Sequence, residues 1–442
     1  MKYKINPPYE VRCPLHGSIA FDEIERRIMD HPLVQRLRAI SQLGFAQMVY
    51  PGATHTRFSH SLGVMHLAGR VFDQICANAP WTHGWDAAYR ARLRATVRLA
   101  GLLHDAGHPP FSHSFEPLLP SRSRVPLPVA WYAHPPGDER ATHEDFSIAA
   151  IVALGQAFPE AIPPDMARDI CALVDERILP SDFLLGRQRP AYNVYPLLKQ
   201  IISGDIDADR MDYLRRDAHF AGVAYGLFDL PRLISSLSCA ETPDGVVMTL
   251  DRNALHTYEN FLIARFHMAM QVYFHKTLLP FEHFLQRAME EGEVNFSIDG
   301  SLESLMAARE DRLMAALFEA RQGRWSARLL ERAPLSRLFQ FDPGMPDAQR
   351  NTVMAAVQEL ESKGVEILHL KLKRRISTID PAKAPILLAD TVLGKPVHKP
   401  LQAESPLLEH YDREFVVELL YCAQELQAQC TSHLAKALGH TG

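Results

Sequence analysis

Leu102-Leu-His104-Asp105-Ala-Gly-His108-Pro-Pro-Phe-Ser-His113 is the stretch on which the reading of this 442-residue chain turns. Just before it, residues 92–106 place Leu99, Leu102 and Leu103 at helical spacing. The run stops at Gly107 and Pro109-Pro110, because proline offers no N–H and clashes with the preceding turn. The spacing therefore predicts a helix whose last turn holds His104 and Asp105. One His-Asp pair says little, since a chain with 21 histidines carries about one by chance. Its surroundings say more. Upstream, Arg57-Phe-Ser-His60-Ser-Leu-Gly opens a second run, with Val64, Leu67, Val71 and Ile75 on one apolar stripe. Downstream come Thr142-His143-Glu144 and Asp207-Ala-Asp209-Arg210-Met-Asp-Tyr213. Asp209, Tyr213 and Asp217 stand at i, i+4 and i+8, on one face of a helix predicted within 196–222.

The rest of the chain narrows the class. With 47% hydrophobic residues and a net charge of −5, it is long enough to bury a large core and has no general cationic field for nucleic acid. Cys13, Cys76, Cys171, Cys239, Cys422 and Cys430 include no CxxC pair, which excludes a zinc finger and suits reduced thiols. The N-terminal stretch has no apolar signal region, and no window is long and apolar enough to span a membrane, so a cytoplasmic protein is expected. Six prolines between Phe115 and Thr142 make residues 115–142 a loop, read equally as a lid or as a tolerated surface insertion. Another helix is expected over roughly 253–290. Alternation at 246–250 and 364–376 reads as strands. The predicted architecture is mainly α, a helical core over 1–290 with a small mixed α/β region over 291–442 that contributes to oligomerisation.

The ordered blocks, together with His31-Pro-Leu-Val-Gln35-Arg-Leu-Arg38 and Gln42-Leu43-Gly, resemble the HD-domain phosphohydrolases. The resemblance is closest to the deoxynucleoside triphosphate triphosphohydrolases of the SAM-and-HD-domain type and their bacterial dGTPase-like relatives. It covers roughly residues 5–280, without a SAM domain, and weakens beyond. His60, His104, Asp105 and Asp209 match that family's metal ligands. The chemistry agrees, since two neutral imidazoles and two carboxylates can hold one divalent ion with positions left open. Fe, Mn, Zn, Co and Mg all suit such donors. Asp205 and Asp207 are expected to cap or precede the helix starting near Ala208.

The resemblance further implies that His113, oriented by Glu116, donates a proton, while His108 and His143 hold the α-phosphate. Glu144 is open between orienting His143 and being an exposed acid. Arg57, Arg210 and Arg265 match phosphate-binding positions, with Tyr213 at the terminal phosphate. Gln42 and Asp217 match positions that hold the sugar 3′-hydroxyl, and Leu43 and Tyr273 positions that pack on the deoxyribose, although Tyr273 also reads as a core aromatic. Asp30, Gln35 and Arg38 match an activating guanine-nucleotide site, against the plainer reading that Gln35 and Arg38 build a helix contact. Tyr9 and Arg12 replace the Lys and Asn expected beside that site, and Phe274 replaces a polar side chain facing the base. His16, His31, His55, His66, His83 and His134 are read as surface or capping residues. The implied reaction is dNTP plus water to deoxynucleoside and triphosphate, by a homo-oligomer (dimer, tetramer or hexamer). The rivals are hydrolysis of another phosphoester, single-stranded nucleic acid included, and a nucleotide sensor without turnover.

Overall fold

The computed structural model describes residues 9–187, 192–375, 386–393, 395–405, 407–408 and 414–439. At its centre is the helix Arg57–Asn78, whose apolar stripe is fully buried at Val64, Leu67, Val71 and Ile75. It packs against Ala87–Leu103 and Ala208–Ala221, and Ala87–Leu103 in turn packs against Pro164–Val174 and Tyr195–Ser203. The caps are written in the sequence. Asp86 accepts from the backbone N–H of Ala88 and Tyr89, Asp207 accepts from that of Arg210, and Gly222, at φ 71°, closes its helix in the left-handed conformation.

Three expected helical runs are shorter or broken. The run through 92–106 ends at Leu103, so His104 is the cap residue and Asp105 lies just beyond it. The run through 196–222 divides into Tyr195–Ser203 and Ala208–Ala221, and the Asp207 cap marks the restart. The run through 253–290 divides into Leu255–Met268, one π turn at Ala269–Tyr273, and Leu279–Glu290 with Pro280 in its first turn. Periodicity alone could not see this break, because the π turn is helical and differs by one residue of register.

Three small sheets complete the chain. A hairpin joins β1 (Tyr9–Cys13) to β2 (Gly17–Phe21). A second sheet has the order β3-β4-β7-β8, from Leu237–Thr242, Gly245–Asp251, Leu387–Val392 and Lys395–Pro400. The third places β9 (Glu414–Cys422) between β5 (Ser336–Phe341) and β6 (Leu368–Arg375). The boundary expected at 290 is crossed twice. β4 pairs in parallel with β7, bringing Ile386, Leu388, Leu401 and Leu408 into the main helical core. Leu305, Leu313 and Leu317 share a second core with Phe45, Phe111, Phe115 and Phe281. Apolar surface on the first 290 residues is thus covered by the last 150 or so, an ordinary consequence of burial being indifferent to chain order.

The proline-rich segment contains three short 3-10 turns and is tied down. Leu119, Val125 and Tyr132 are buried. Arg122 donates to Asp145 (2.9 Å) and pairs with Glu139 (2.9 Å), and Tyr132 bridges to Ile178. The acid that receives Arg122 also closes the capping box of the helix His143–Ala157, so loop and helix start are held by one carboxylate.

Candidate active site

Three helices converge on one cluster. His60 comes from the first turn of Arg57–Asn78, His104 from the cap of Ala87–Leu103, and Asp209 from the first turn of Ala208–Ala221. His60 Nδ1 donates to Asp212 Oδ2 (2.8 Å) and His104 Nδ1 to the carbonyl of Gly101 (2.9 Å). Each ring therefore turns Nε2 towards the acids, the orientation a metal-binding imidazole takes. Ligand atoms of His60, His104 and Asp209 lie within 4.8 Å of one another. Asp209 Oδ1 is 2.9 Å from His60 Nε2 and 3.6 Å from His104 Nε2. Asp105 stands beside them, 3.4 Å from His104 Nε2 and 3.7 Å from His60 Nε2.

Donors about 2.1 Å from a common ion lie about 3 to 3.5 Å apart at tetrahedral or octahedral angles, so His60, His104 and Asp209 could hold a divalent cation, with Asp105 beside them. The electrostatics agree. Burial lowers the His60 pKa, but Asp209 and Asp212 overcome it and carry it up to about 10. Burial likewise opposes ionisation of Asp209, yet His104 and His60 hold it well below the usual carboxylate range. The cluster retains positive charge against its own desolvation, and a metal ion satisfies that demand when bound.

The support behind His60 is absent from the sequence reading. Asp212 is fully buried and takes bonds from His60, His16 (2.6 Å) and Arg216 (2.7 Å). Its neighbour across the helix crossing is Gly63, where a Cβ would lie 1.9 Å from Asp212 Oδ1. His16 therefore belongs to the site's support, not to the surface. Asp212→Ala should strand Arg216 and release His60. Unfolding free energy should fall by about 3–5 kcal/mol by denaturant titration, and metal affinity by about 10 to 100-fold by competition with a chelator.

A second layer lies beside the cluster. His108 stacks on His143 with ring centroids 3.8 Å apart, and His113 stands edge-on to both. Gly107 permits this approach, since a Cβ there would fall 2.2 Å from the carbonyl of His143. Glu116 joins His113 Nδ1 (3.1 Å) to His143 Nδ1. Glu144 is only 3.5 Å from His143 and well exposed, so Glu116 is the stronger partner of both rings. Burial, Arg57 and His143 hold His108 well below the usual histidine pKa, whereas Glu116 and Glu144 raise His143 against its burial. The His113 side chain is 65% exposed, which leaves it free to meet a ligand.

Both layers open onto a cavity of about 730 Å³. Its lining includes Gln42, Leu43, Arg57, Arg210, Tyr213, Asp217, Arg265 and Tyr273, together with His104, Asp105, His108, His113, His143 and Asp209. His60 and Glu116 stand behind that lining. Arg57 is part of the wall and donates to Asp105 Oδ2 (2.6 Å) and Ser112 Oγ (2.9 Å). Arg210 donates to Asp207 (2.7 Å) and Arg265 faces Asp205 (3.5 Å). Asp207 caps as expected. Asp205 precedes the helix as expected, accepting from Tyr258 and facing Arg265. His55 is also buried, bonded through Nε2 to Asp217 Oδ1 (2.8 Å) and stacked on Phe220, while Tyr273 donates its hydroxyl to Asp217 Oδ2 (2.8 Å). His31 does cap, accepting from Leu33 N–H.

Several lining residues escaped the sequence reading, and two of them carry information. Leu372 comes from β6, so the C-terminal part contributes to the wall. Glu282 bonds Ser114 (3.3 Å) and is pushed up by burial to about 7. Asp30, Gln35 and Arg38 lie outside the lining. Asp30 pairs with Arg26 (2.9 Å), Gln35 donates to the carbonyl of Met29 (2.7 Å) and accepts from Arg38 (2.8 Å), and Arg38 stacks over Phe58.

Paired imidazoles and carboxylates drawn from separate helices, opening on a polar cavity, form a helical cluster that could hold a metal ion. Residues 57–217 match the HD domain and residues 228–365 the HD associated region, and the chain belongs to the HD-domain phosphohydrolase family. An uncharacterized protein of Methanocaldococcus jannaschii is 32% identical over 317 residues, 69% of this chain and 56% of that one. Deoxynucleoside triphosphate triphosphohydrolase SAMHD1 of Bos taurus is 26% identical over 450 residues, 97% of this chain and 70% of that one. A hypothetical protein from Aquifex aeolicus, of known crystal structure, superposes with a TM-score of 0.73 at 27% identity, covering 96% of this chain and 99% of that one. The chain spans about half the length of the first curated relatives it matches. The likeness also runs beyond residue 280, where the sequence resemblance weakens. No described helix is long and apolar enough to cross a membrane.

Proposed function

We propose that this chain is a metal-dependent dNTP triphosphohydrolase that converts a dNTP and water to deoxynucleoside and inorganic triphosphate. The observation that carries the reading is the single cavity, which joins the His60/His104/Asp105/Asp209 cluster and the exposed ring of His113 to Arg210 and to the Asp217–Tyr273 pair. A divalent ion in the cluster would lower the pKa of a water and polarise the α-phosphate.

The protein groups do the rest. Water oxygen bonds to the α-phosphorus and the bond from phosphorus to the 5′-oxygen breaks. His113, held by Glu116, gives its proton to the departing 5′-oxygen. His108 and His143 lie beside the α-phosphate, Arg210 and Arg265 face the chain of phosphates, and Tyr213 meets its far end. The test is to incubate the metal-loaded protein with each dNTP and NTP and to identify products. Nucleoside plus triphosphate supports the reading, whereas monophosphate or orthophosphate assigns another phosphoesterase and no product assigns a sensor.

Sugar selectivity follows from the same wall. Gln42 and Asp217 hold the 3′-hydroxyl while Leu43 and Tyr273 close over the 2′ carbon. An added 2′-hydroxyl meets overpacking and an unmet hydrogen bond, together about 3 kcal/mol. Deoxynucleotides should be preferred over ribonucleotides by about 10²-fold in kcat/KM. Tyr273→Ala should narrow that ratio more than it slows turnover; a wild-type ratio near one would remove the deoxyribose pocket.

A further inference from the structure

Phe111 and Ser112, the two residues before His113, have φ values of 56° and 55°, a left-handed backbone that side chains other than glycine adopt only when their surroundings impose it. Ser112 is fixed through its hydroxyl, which donates to the carbonyl of Ser41 (2.6 Å) and accepts from Arg57 (2.9 Å). Phe111 stacks on Phe45 with centroids 4.3 Å apart, and its N–H donates to Glu310 Oε1 (2.9 Å). Glu310 opens the helix Glu310–Glu319, within the HD associated region. The same carboxylate accepts from Ser41 N–H (2.6 Å) and Ser41 Oγ (2.6 Å). One acid thus takes three donors from two loops: one that leads into Gln42 and Leu43, and one that leads into His113.

We propose that Glu310 is a positioning residue for the proton donor, holding Phe111 and Ser112 in their left-handed backbone and thereby aiming His113 at the cavity in register with the Gln42–Leu43 loop. This rests on the role given to His113 above. Two of the three partners are backbone N–H groups that can only donate, and both go to Oε1, so the position requires an acceptor there. An alanine removes that acceptor and leaves both N–H groups unpaired, whereas a glutamine keeps it and can donate its N–H₂ to the Ser41 hydroxyl. Once freed, Phe111 relaxes out of the left-handed region and every later atom of the loop swings with it, His113 first. A displacement near 1 Å at a reacting group can cost about 10²-fold in rate.

The test uses the metal-loaded full chain and two substrates. A dNTP releases an alkoxide that needs a proton, while bis(4-nitrophenyl) phosphate releases a nitrophenolate that is stable without one. Glu310→Ala should lower kcat on the dNTP by at least about tenfold, with metal content near wild type and much less loss on the nitrophenyl ester, while Glu310→Gln should keep most of the turnover. His113→Ala should show the same contrast, and the double variant should be no slower on the dNTP than His113→Ala alone. Glu310→Asp, which draws the acceptors back by one carbon, gives a milder version of the same pattern if Glu310→Ala folds poorly. Equal losses on both substrates, or an additive loss in the double variant, would overturn the proposal. An absent contrast in His113→Ala would overturn the proton-donor role and Glu310's route through it; a contrast in His113→Ala alone overturns only Glu310.

Discussion

The Asp209→Ala protein is expected to lose its metal and its turnover together. Asp209 approaches the cluster from a helix that carries neither histidine, and its Oδ1 is the atom nearest to His60 Nε2, at 2.9 Å. Without it the cluster keeps two imidazoles and Asp105, whose Oδ2 already accepts from Arg57. Loss of a group that merely supports a ligand costs about 10 to 100-fold in metal affinity, and loss of the ligand itself should exceed that. Elemental analysis after dialysis should find metal in the wild type and little in the variant, with activity at background. The fold should survive, because Asp209 is not the cap of its helix; Asp207 is. Full metal occupancy in Asp209→Ala would refute the ligand assignment.

His113→Ala is expected to bind metal and dNTP nearly as the wild type does and to turn over about 10² to 10⁴-fold more slowly, the usual weight of a general acid. Its ring projects into the cavity and touches no residue of the metal cluster, being edge-on to His108 and His143 and bonded to Glu116. Glu116 keeps its bond to His143 when His113 is gone, so the layer beneath stays ordered. Single-turnover measurements with bound dNTP separate the two outcomes. Weakened binding with unchanged turnover would make His113 a phosphate ligand.

Residue types and spacing revealed much of this site because its helices begin or end there. His60, His104 and Asp209 sit in first or last turns, which capping residues, prolines and the i, i+4, i+8 face of Asp209, Tyr213 and Asp217 mark out; that they belong together came from the ordered motifs and the family resemblance those carry. What escaped is whatever depends on contact between distant segments. Nothing local marks His16 as a partner of Asp212, or His55 as a partner of Asp217. Asp212 itself offered a weak signal, an acid four residues before Arg216 on a helix with an apolar flank. The bond from Arg57 to Asp105 is likewise a contact that only the approach of two helix ends creates. The π turn at Ala269–Tyr273 hid inside a pattern that suits an uninterrupted helix.

The parallel pairing of β4 with β7 also sets an order of events as the chain is made. β4 is buried along nearly its whole length and, until Leu388 arrives opposite Leu250, it is an open edge. A nascent chain that has completed the entire metal cluster still exposes that edge and the apolar surface awaiting Leu401 and Leu408. Long-range strand pairing is slow, and bare edges invite association with other chains. On the ribosome the half that carries the cluster therefore waits, assembled but unsealed, for a strand made far downstream.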